Sequence, residues 1–446
     1  MNFVMPSTLE SLAKFIQDPA LTSHAAGRME RLRLHIADTL GMMLRGASLA
    51  EGRTAMAMGS SLAGWCAAAR LTEADDIHLM SCTTPGSVVV PTALHLASAG
   101  LFESWVDFVT AVLGGYETLI RIGYAIDGPR ILARQVWPTL FAAAASASAV
   151  ACRAWKLNQS QTAGALATAL SASTGIAPPA MLPNSSRWMA LGVAAEHGIL
   201  AAKAAMQGAL GDVQLLERCA GRIAGVRISR RRLLQDPSTR FFFDEIGLKP
   251  FPTARQALAA VEACRRLVGP NANGITAIMV GVPSAQARVI DQPGWPSNRM
   301  ESIAGVQYQI ALALLTPERL MEFERTPPFE TKALRSLASR VRVRADARLE
   351  LQYPERWPAR VVVQWGTKRK SMVVTTPQGD ARNPLCWEDV LKKSTPHRSA
   401  LVAVRTADLN KPIPFPILDA YLTQRVLFPN PCPSRSHSLI GETTTS

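Results

Sequence analysis

Residues 29–44, Met-Glu-Arg-Leu-Arg-Leu-His-Ile-Ala-Asp-Thr-Leu-Gly-Met-Met-Leu, place apolar side chains at Leu32, Leu34, Ile36, Leu40, Met43 and Leu44. That recurrence follows the turn of an α-helix, not the two-residue period of a strand. Residues 101–126, 140–155 and 159–172 continue the helical pattern. The Ala-rich run 141–151 supplies small side chains that let helix axes approach closely, as inside an all-helical domain. Past about Gly225 the periodicity changes. Residues 275–282 are rich in β-branched side chains, and 340–351 alternate, with Val341, Val343, Ala345, Ala347 and Leu349 on one face and Arg342, Arg344, Asp346 and Arg348 on the other. Residues 361–365 and 371–375, joined through Gly366-Thr367-Lys368, predict a hairpin, and helical patterns at 302–315 and 332–339 interrupt the strands.

The expected fold is therefore α+β and mostly α: a large all-helical domain over 1–240 and a smaller α+β domain over 241–400. A C-terminal segment over 401–446 returns to the helical domain and ends in a frayed, Pro- and Ser-rich tail. The length of 446 residues and the 48% hydrophobic content suffice for at least one large core.

Composition narrows the function classes. Against 48 Lys and Arg stand 34 Asp and Glu, a net charge of +14 that suits an anionic ligand without selecting one. The basic cluster Arg222, Arg227, Arg230, Arg231 and Arg232 has no interleaved aromatics, so a nucleic-acid partner is not expected. The uncharged stretches 77–102 and 157–186 carry prolines and many polar side chains, which argues against membrane spans. Seven scattered Cys without a C-x-x-C, and no basic-then-apolar leader at Met1-Asn-Phe-Val-Met-Pro6, lead to the expectation of a cytoplasmic protein with free thiols. Neither G-x-G-x-x-G after a strand nor a P-loop occurs, and the seven His never form H-x-x-x-H, so nucleotide and zinc chemistry lack support.

Several segments, in order, resemble the MmgE/PrpD family. They are His35-Ile-Ala-Asp-Thr-Leu-Gly41, Asp75-Asp-Ile-His78, Pro85-Gly-Ser-Val-Val-Val-Pro91, Gly115-Tyr-Glu-Thr-Leu-Ile-Arg121 and Trp137-Pro-Thr139. Gly192-Val-Ala-Ala-Glu-His-Gly198, Lys249-Pro-Phe-Pro252, residues 302–315 and Pro377-Gln-Gly-Asp-Ala-Arg-Asn-Pro384 complete the set. No one segment is specific; their order and spacing are.

The resemblance implies a helical domain with an α+β lid, an active site between them, a homodimer, and no cofactor or metal. It also implies a small carboxylic-acid substrate, from which a proton next to a carboxylate is removed or moved. Water elimination, decarboxylation and epimerisation share that first step, which calls for a base and for cationic donors to the charge that develops. Carried over by motif, Lys249, His78 and Tyr308 are the expected catalytic residues. Arg187, Glu73, Asp76, Thr84, Trp137 and Arg255 are expected to bind substrate.

The chain departs from the family pattern at several of these positions. Thr84-Pro85 stands where the family commonly has His-Pro, Trp137 where it has a histidine, and Arg187 where it has a lysine. Residues 251–258 carry no histidine. Trp137 and Leu258 cannot transfer protons, and Arg187 stays protonated but can clamp a carboxylate. Lys249 serves as a base only if burial or neighbouring cations such as Arg255 favour its neutral form. Two readings stay open: an enzyme with an altered substrate or reaction, and a catalytically silent homologue acting as a binding subunit.

Overall fold

The computed structural model describes residues 5–421 apart from 58–60, 181, 183–185, 238, 327, 396 and 415. Among the described residues it is a mostly helical α+β chain with two large hydrophobic cores and a small third cluster around Ile77, Leu79, Cys82 and Trp357. The first is built from helices that include Thr8–Gln17, Met29–Ser48, Ser61–Leu71, Gly86–Ser98, Trp105–Ala125, Pro138–Ala154, Gln159–Ser171 and Arg187–Met206. Leu401, Val404, Ile413, Ile417 and Tyr421 pack into this same core. Among the described residues no helix is long and apolar enough to cross a membrane.

Small residues set the spacing in this core, as the Ala-rich pattern predicts. A Cβ on Gly192 would lie 2.3 Å from Ala63 Cα, and one on Gly198 would lie 2.1 Å from the Ala144 carbonyl oxygen. The Arg187–Met206 helix therefore rests almost backbone to backbone on its two neighbours, a separation that any larger side chain would force open.

The second core forms on a four-stranded sheet. Numbering strands along the chain, β1 is Asp76–His78, β2 Arg222–Ile223, β3 Val226–Arg227, β4 Ile246–Leu248, β5 Ala277–Val282, β6 Val341–Ala345, β7 Ala359–Trp365 and β8 Lys368–Val374. The sheet order is β6-β5-β7-β8, with β5 and β6 parallel and the remaining pairs antiparallel. The Leu258–Val268 and Val306–Leu315 helices supply apolar side chains to the same core. Strand β8 opens Lys-Arg-Lys, an exposed charged edge that discourages pairing with another chain.

Three local expectations need correction. The alternation over 340–351 is a strand only to Ala345. There the Asp346 side chain accepts the Arg348 backbone N–H and caps a short helix, Ala347–Glu350, so a helix cap overrides the strand period. The helical pattern over 302–315 is two helices, Arg299–Ala304 and Val306–Leu315, because Gly305 takes an extended conformation between them. The hairpin pairs earlier than expected, Trp365 opposite Lys368, with Gly366 at φ 58 carrying the turn.

Candidate active site

A two-stranded ribbon positions the central lysine. Strands β1 and β4 pair antiparallel with Asp76 opposite Leu248, so the next residues along, Asp75 and Lys249, meet at its end. Just upstream, the Ser61–Leu71 helix ends and Glu73 turns the chain at φ 53, a left-handed conformation that strains a non-glycine residue. That turn aims Glu73 back toward the same lysine. Lys249 Nζ donates to the Glu73 carbonyl at 3.2 Å, to Glu73 Oε2 at 3.0 Å and to Asp75 Oδ1 at 3.1 Å. Arg70, on the last turn of the helix, pairs with Glu73 at 2.9 Å and Asp75 at 3.5 Å. Two cations and two carboxylates thus form one buried network.

This network opens on a cavity of about 180 Å³ between the two cores. Arg70, Glu73, Thr84, Trp137, Arg187, Lys249 and Arg255 line it together with Met300, Ile303 and Ala304. Trp137 lies beneath the Arg187 guanidinium, 4.1 Å from its ring centre, and Arg187 also donates to the Pro178 carbonyl at 3.1 Å. Burial first, and the charge of Arg70 second, bring Arg187 down to about 10. Thr84 donates its backbone N–H to Thr139 Oγ1 at 3.1 Å. Arg255, 3% exposed, pairs with Asp380 at 2.9 Å. Cys82, also in the wall, shares the left-handed strain of Glu73 at φ 55. Such strain concentrates where structure serves function.

Six of the nine expected site residues meet here, and three do not. Asp76 is fully buried and turned inward, both carboxylate oxygens 3.0 Å from the Gly86 backbone N–H. It anchors the start of the Gly86–Ser98 helix at a position where a Cβ on residue 86 would collide with Thr39, Asp76 and Tyr116. Burial, reinforced by Asp75, pushes its carboxyl well above the usual range. His78 faces away from the cavity. Its Nδ1 shares a hydrogen bond with Ser81 Oγ at 2.8 Å, and its Nε2 lies 3.4 Å from Glu245, on a separate charged cavity lined by Arg240, Asp244 and Arg382. Tyr308 belongs to the second core, donating its hydroxyl to the Phe329 carbonyl at 3.0 Å with its ring edge on Trp295.

The setting of Lys249 is also corrected. Carboxylates, not cations, surround its ammonium, and Arg255 is committed to Asp380. Sequence reasoning did not select Arg70 or Lys393 as site residues. Arg70 leaves one signal, its i, i+3 spacing to Glu73 at a helix end. Lys393, from the Trp387–Lys393 helix, leaves none. Fully buried, it pairs with Asp38 and donates to the Ala74 carbonyl at 2.8 Å and the Lys249 carbonyl at 2.9 Å. Among the described residues no group of three or more His, Cys, Asp or Glu could hold a metal.

The MmgE/PrpD N-terminal domain matches residues 61–230, and the MmgE/PrpD C-terminal domain matches residues 251–409. Together the two cover most of the chain, which belongs to the MmgE/PrpD family. Membership supports a dehydratase-like enzyme at the level of the family. No curated protein matches the chain.

The network makes a pH prediction. Burial drives the Glu73 carboxyl up, Arg70 and then Lys249 drive it down, and the cations prevail, holding it at about 2 against an ordinary 4.5. A carboxyl depressed in the folded state stabilises fully above its unfolded value, and that stabilisation is lost as pH falls through the folded one. Urea midpoints should therefore drop between pH 4.5 and 2, and Glu73→Gln should remove up to about 3 kcal/mol of that acid dependence. An acid limb identical in the variant and the parent would refute the assignment.

Proposed function

We propose that the chain is a lyase-like enzyme that binds a small di- or tricarboxylic acid, or an alkylated relative, in the 180 Å³ cavity and removes a proton from a carbon beside a carboxylate. The supporting observation is the convergence of Arg70, Arg187, Lys249 and Arg255 on one cavity that also holds a carboxylate. The volume falls below the roughly 300–1,000 Å³ of sites for drug-sized ligands, which favours a compact acid. Arg187 holds a carboxylate, Thr84 lies at the wall as a polar contact, and Trp137 faces the hydrocarbon part.

In this reading Glu73 accepts the carbon-bound proton. A substrate carboxylate engaging Arg70 or Arg187 removes part of the charge that keeps Glu73 low and adds a like charge beside it, so binding itself raises the basicity of Glu73. Lys249 stabilises the enolate charge. In dehydration the C–H electron pair becomes the C=C bond, the C–O bond breaks, and Lys249 gives the departing hydroxide a proton. The proton on Glu73 then crosses the 3.0 Å to Lys249 and resets the pair. Decarboxylation reaches an enolate from the C–C bond instead: CO₂ departs and leaves its electron pair on the substrate, the same cations hold the charge, and Lys249 returns a proton to the carbon. Return of the proton to the opposite face gives epimerisation. Six unpaired cysteines among the described residues support a reducing, cytoplasmic setting.

One observation favours a non-catalytic homologue instead: acceptors already take all three Lys249 donors, and no histidine lines the cavity among the described residues. NMR in D₂O with citrate-like, aconitate-like and alkyl-succinate acids separates the two readings. The enzyme reading expects deuterium beside a carboxylate of at least one acid, and Arg187→Ala raising KM tenfold or more with a smaller change in kcat. Folded protein that exchanges no proton in any acid would make the chain a silent homologue.

A further inference from the structure

A cavity of about 420 Å³ lies against β4 and shares no lining residue with the 180 Å³ one. Gly247 of β4 meets Gly379 there, the Leu248 backbone N–H donating to the Gly379 carbonyl at 2.8 Å. A Cβ on Gly247 would lie 2.4 Å from that carbonyl oxygen, and Gly379 holds φ 88, so neither position accepts a side chain. Around this close contact the walls are mainly apolar, formed by Leu34, Ile246, Leu248, Pro384, Leu385 and Trp387.

One face of the Met29–Ser48 helix adds polar groups to this apolar space. Arg31, Leu34 and His35 recur at i, i+3 and i+4 and line it together. Arg31 donates to the Ile246 carbonyl at 2.8 Å but forms no ion pair among the described residues, and its buried Nε has no hydrogen-bond partner there. Asp244, whose charge reaches Arg31, is held by Arg28 at 2.7 Å. His35, 3% exposed, likewise leaves its Nδ1 without a hydrogen-bond partner among the described residues. Burial first, and the charge of Arg31 next, hold its imidazole well below the usual range and so neutral. The other charges of the wall are occupied. Asp380 pairs with Arg255 and Arg382, Glu30 accepts the Trp387 indole N–H at 2.5 Å, and Arg405 lies between Glu388 and the Trp387 ring.

We propose that this cavity is a second binding site, for a small monocarboxylic acid with an apolar body. Its carboxylate meets Arg31 and His35, and its body lies against Leu385 and Trp387. A largely buried guanidinium without an acid is costly, and one carboxylate supplies the missing charge while accepting the idle N–H. Neutral His35 adds a polar contact without a second charge. A phosphate would bring a second negative charge that no cation of the wall is left to meet, and apolar surroundings penalise it. A neutral apolar molecule would leave Arg31 as it stands, without an acid. Size and composition agree: small-molecule sites of roughly 300–1,000 Å³ are mostly apolar with a few placed polar groups. The site stands on its own residues and does not depend on the reaction proposed above.

Isothermal titration calorimetry of the full chain with 3-phenylpropionate tests the proposal. The expected result is binding with a Kd below about 1 mM, weakened at least tenfold by Arg31→Gln, which keeps a donor for the Ile246 carbonyl. 3-Phenylpropionamide, the same body without the charge, binds the wild-type chain at least tenfold more weakly than the acid. In Arg31→Gln the acid and the amide bind alike. The comparison of acid with amide on the wild-type chain keeps the test decisive should Arg31→Gln fold poorly. Arg187→Ala, in the other cavity, leaves this site in place. No binding of the acid at about 5 mM, equal binding of acid and amide to the wild-type chain, or loss of binding in Arg187→Ala in place of Arg31→Gln would overturn the proposal.

Discussion

Replacing Lys249 with Met should lower proton exchange at least about 100-fold and cost roughly 3–5 kcal/mol of stability. The ammonium is 2% exposed and joins Glu73 to Asp75 at 3.0 and 3.1 Å. Without it two buried carboxylates face each other with Arg70 as their remaining partner, and the loss of a partner from a buried pair costs far more than the pair was worth. Burial already pushes the Asp75 carboxyl upward, against the pull of Arg70 and Lys249. Removing Lys249 therefore shifts it toward the neutral acid. A second substitution separates chemistry from architecture. Lys249→Met combined with Asp75→Asn removes one stranded charge and should recover part of the stability without recovering turnover. If the double variant regained exchange along with its urea midpoint, Lys249 would be a structural residue only.

Lys393→Met should destabilise by a similar 3–5 kcal/mol, although the residue lies outside the cavity. Its ammonium is fully buried and holds three parts of the chain at once: Asp38 of the Met29–Ser48 helix, the Ala74 carbonyl and the Lys249 carbonyl. The two carbonyls flank the carboxylate network, so Lys393 is a positioning residue for Lys249. Its loss should raise KM as well as lower the unfolding midpoint. Burial favours the neutral form of Asp38, and Lys393 opposes that. Replacing both, Asp38→Leu with Lys393→Met, should regain stability because no charge is then stranded, whereas the KM defect should persist. A loss below about 1 kcal/mol for the single variant would mean that water reaches Asp38 and that the brace has little weight.

Much of the fold is legible in the sequence because it rests on local period. The helices at Met29–Ser48, Trp105–Ala125, Pro138–Ala154 and Gln159–Ser171 lie within a few residues of the runs that predict them, since each is written into a continuous local run of apolar and small residues. Alternation was less dependable over 340–351, where one aspartate at position 346 ends the strand by capping a helix. The candidate site is legible only as residue types. Glu73, Thr84, Trp137, Arg187, Lys249 and Arg255 line one cavity, while His78 and Tyr308, equally plausible by motif, face a second cavity and the α+β core.

What the sequence determined by itself is the class of the fold and the chemical character of its site: helices packed through small residues, an α+β region, and cationic residue types at the motif positions. What only the tertiary structure decided is which charges pair. Lys249 and Glu73 are far apart along the chain, as are Lys393 and Asp38, and each pair meets in the folded protein. Helical and strand periods act over neighbouring residues and are written into them. A buried charge selects whichever opposite charge the packing brings within about 3 Å, and that distance is a property of the fold.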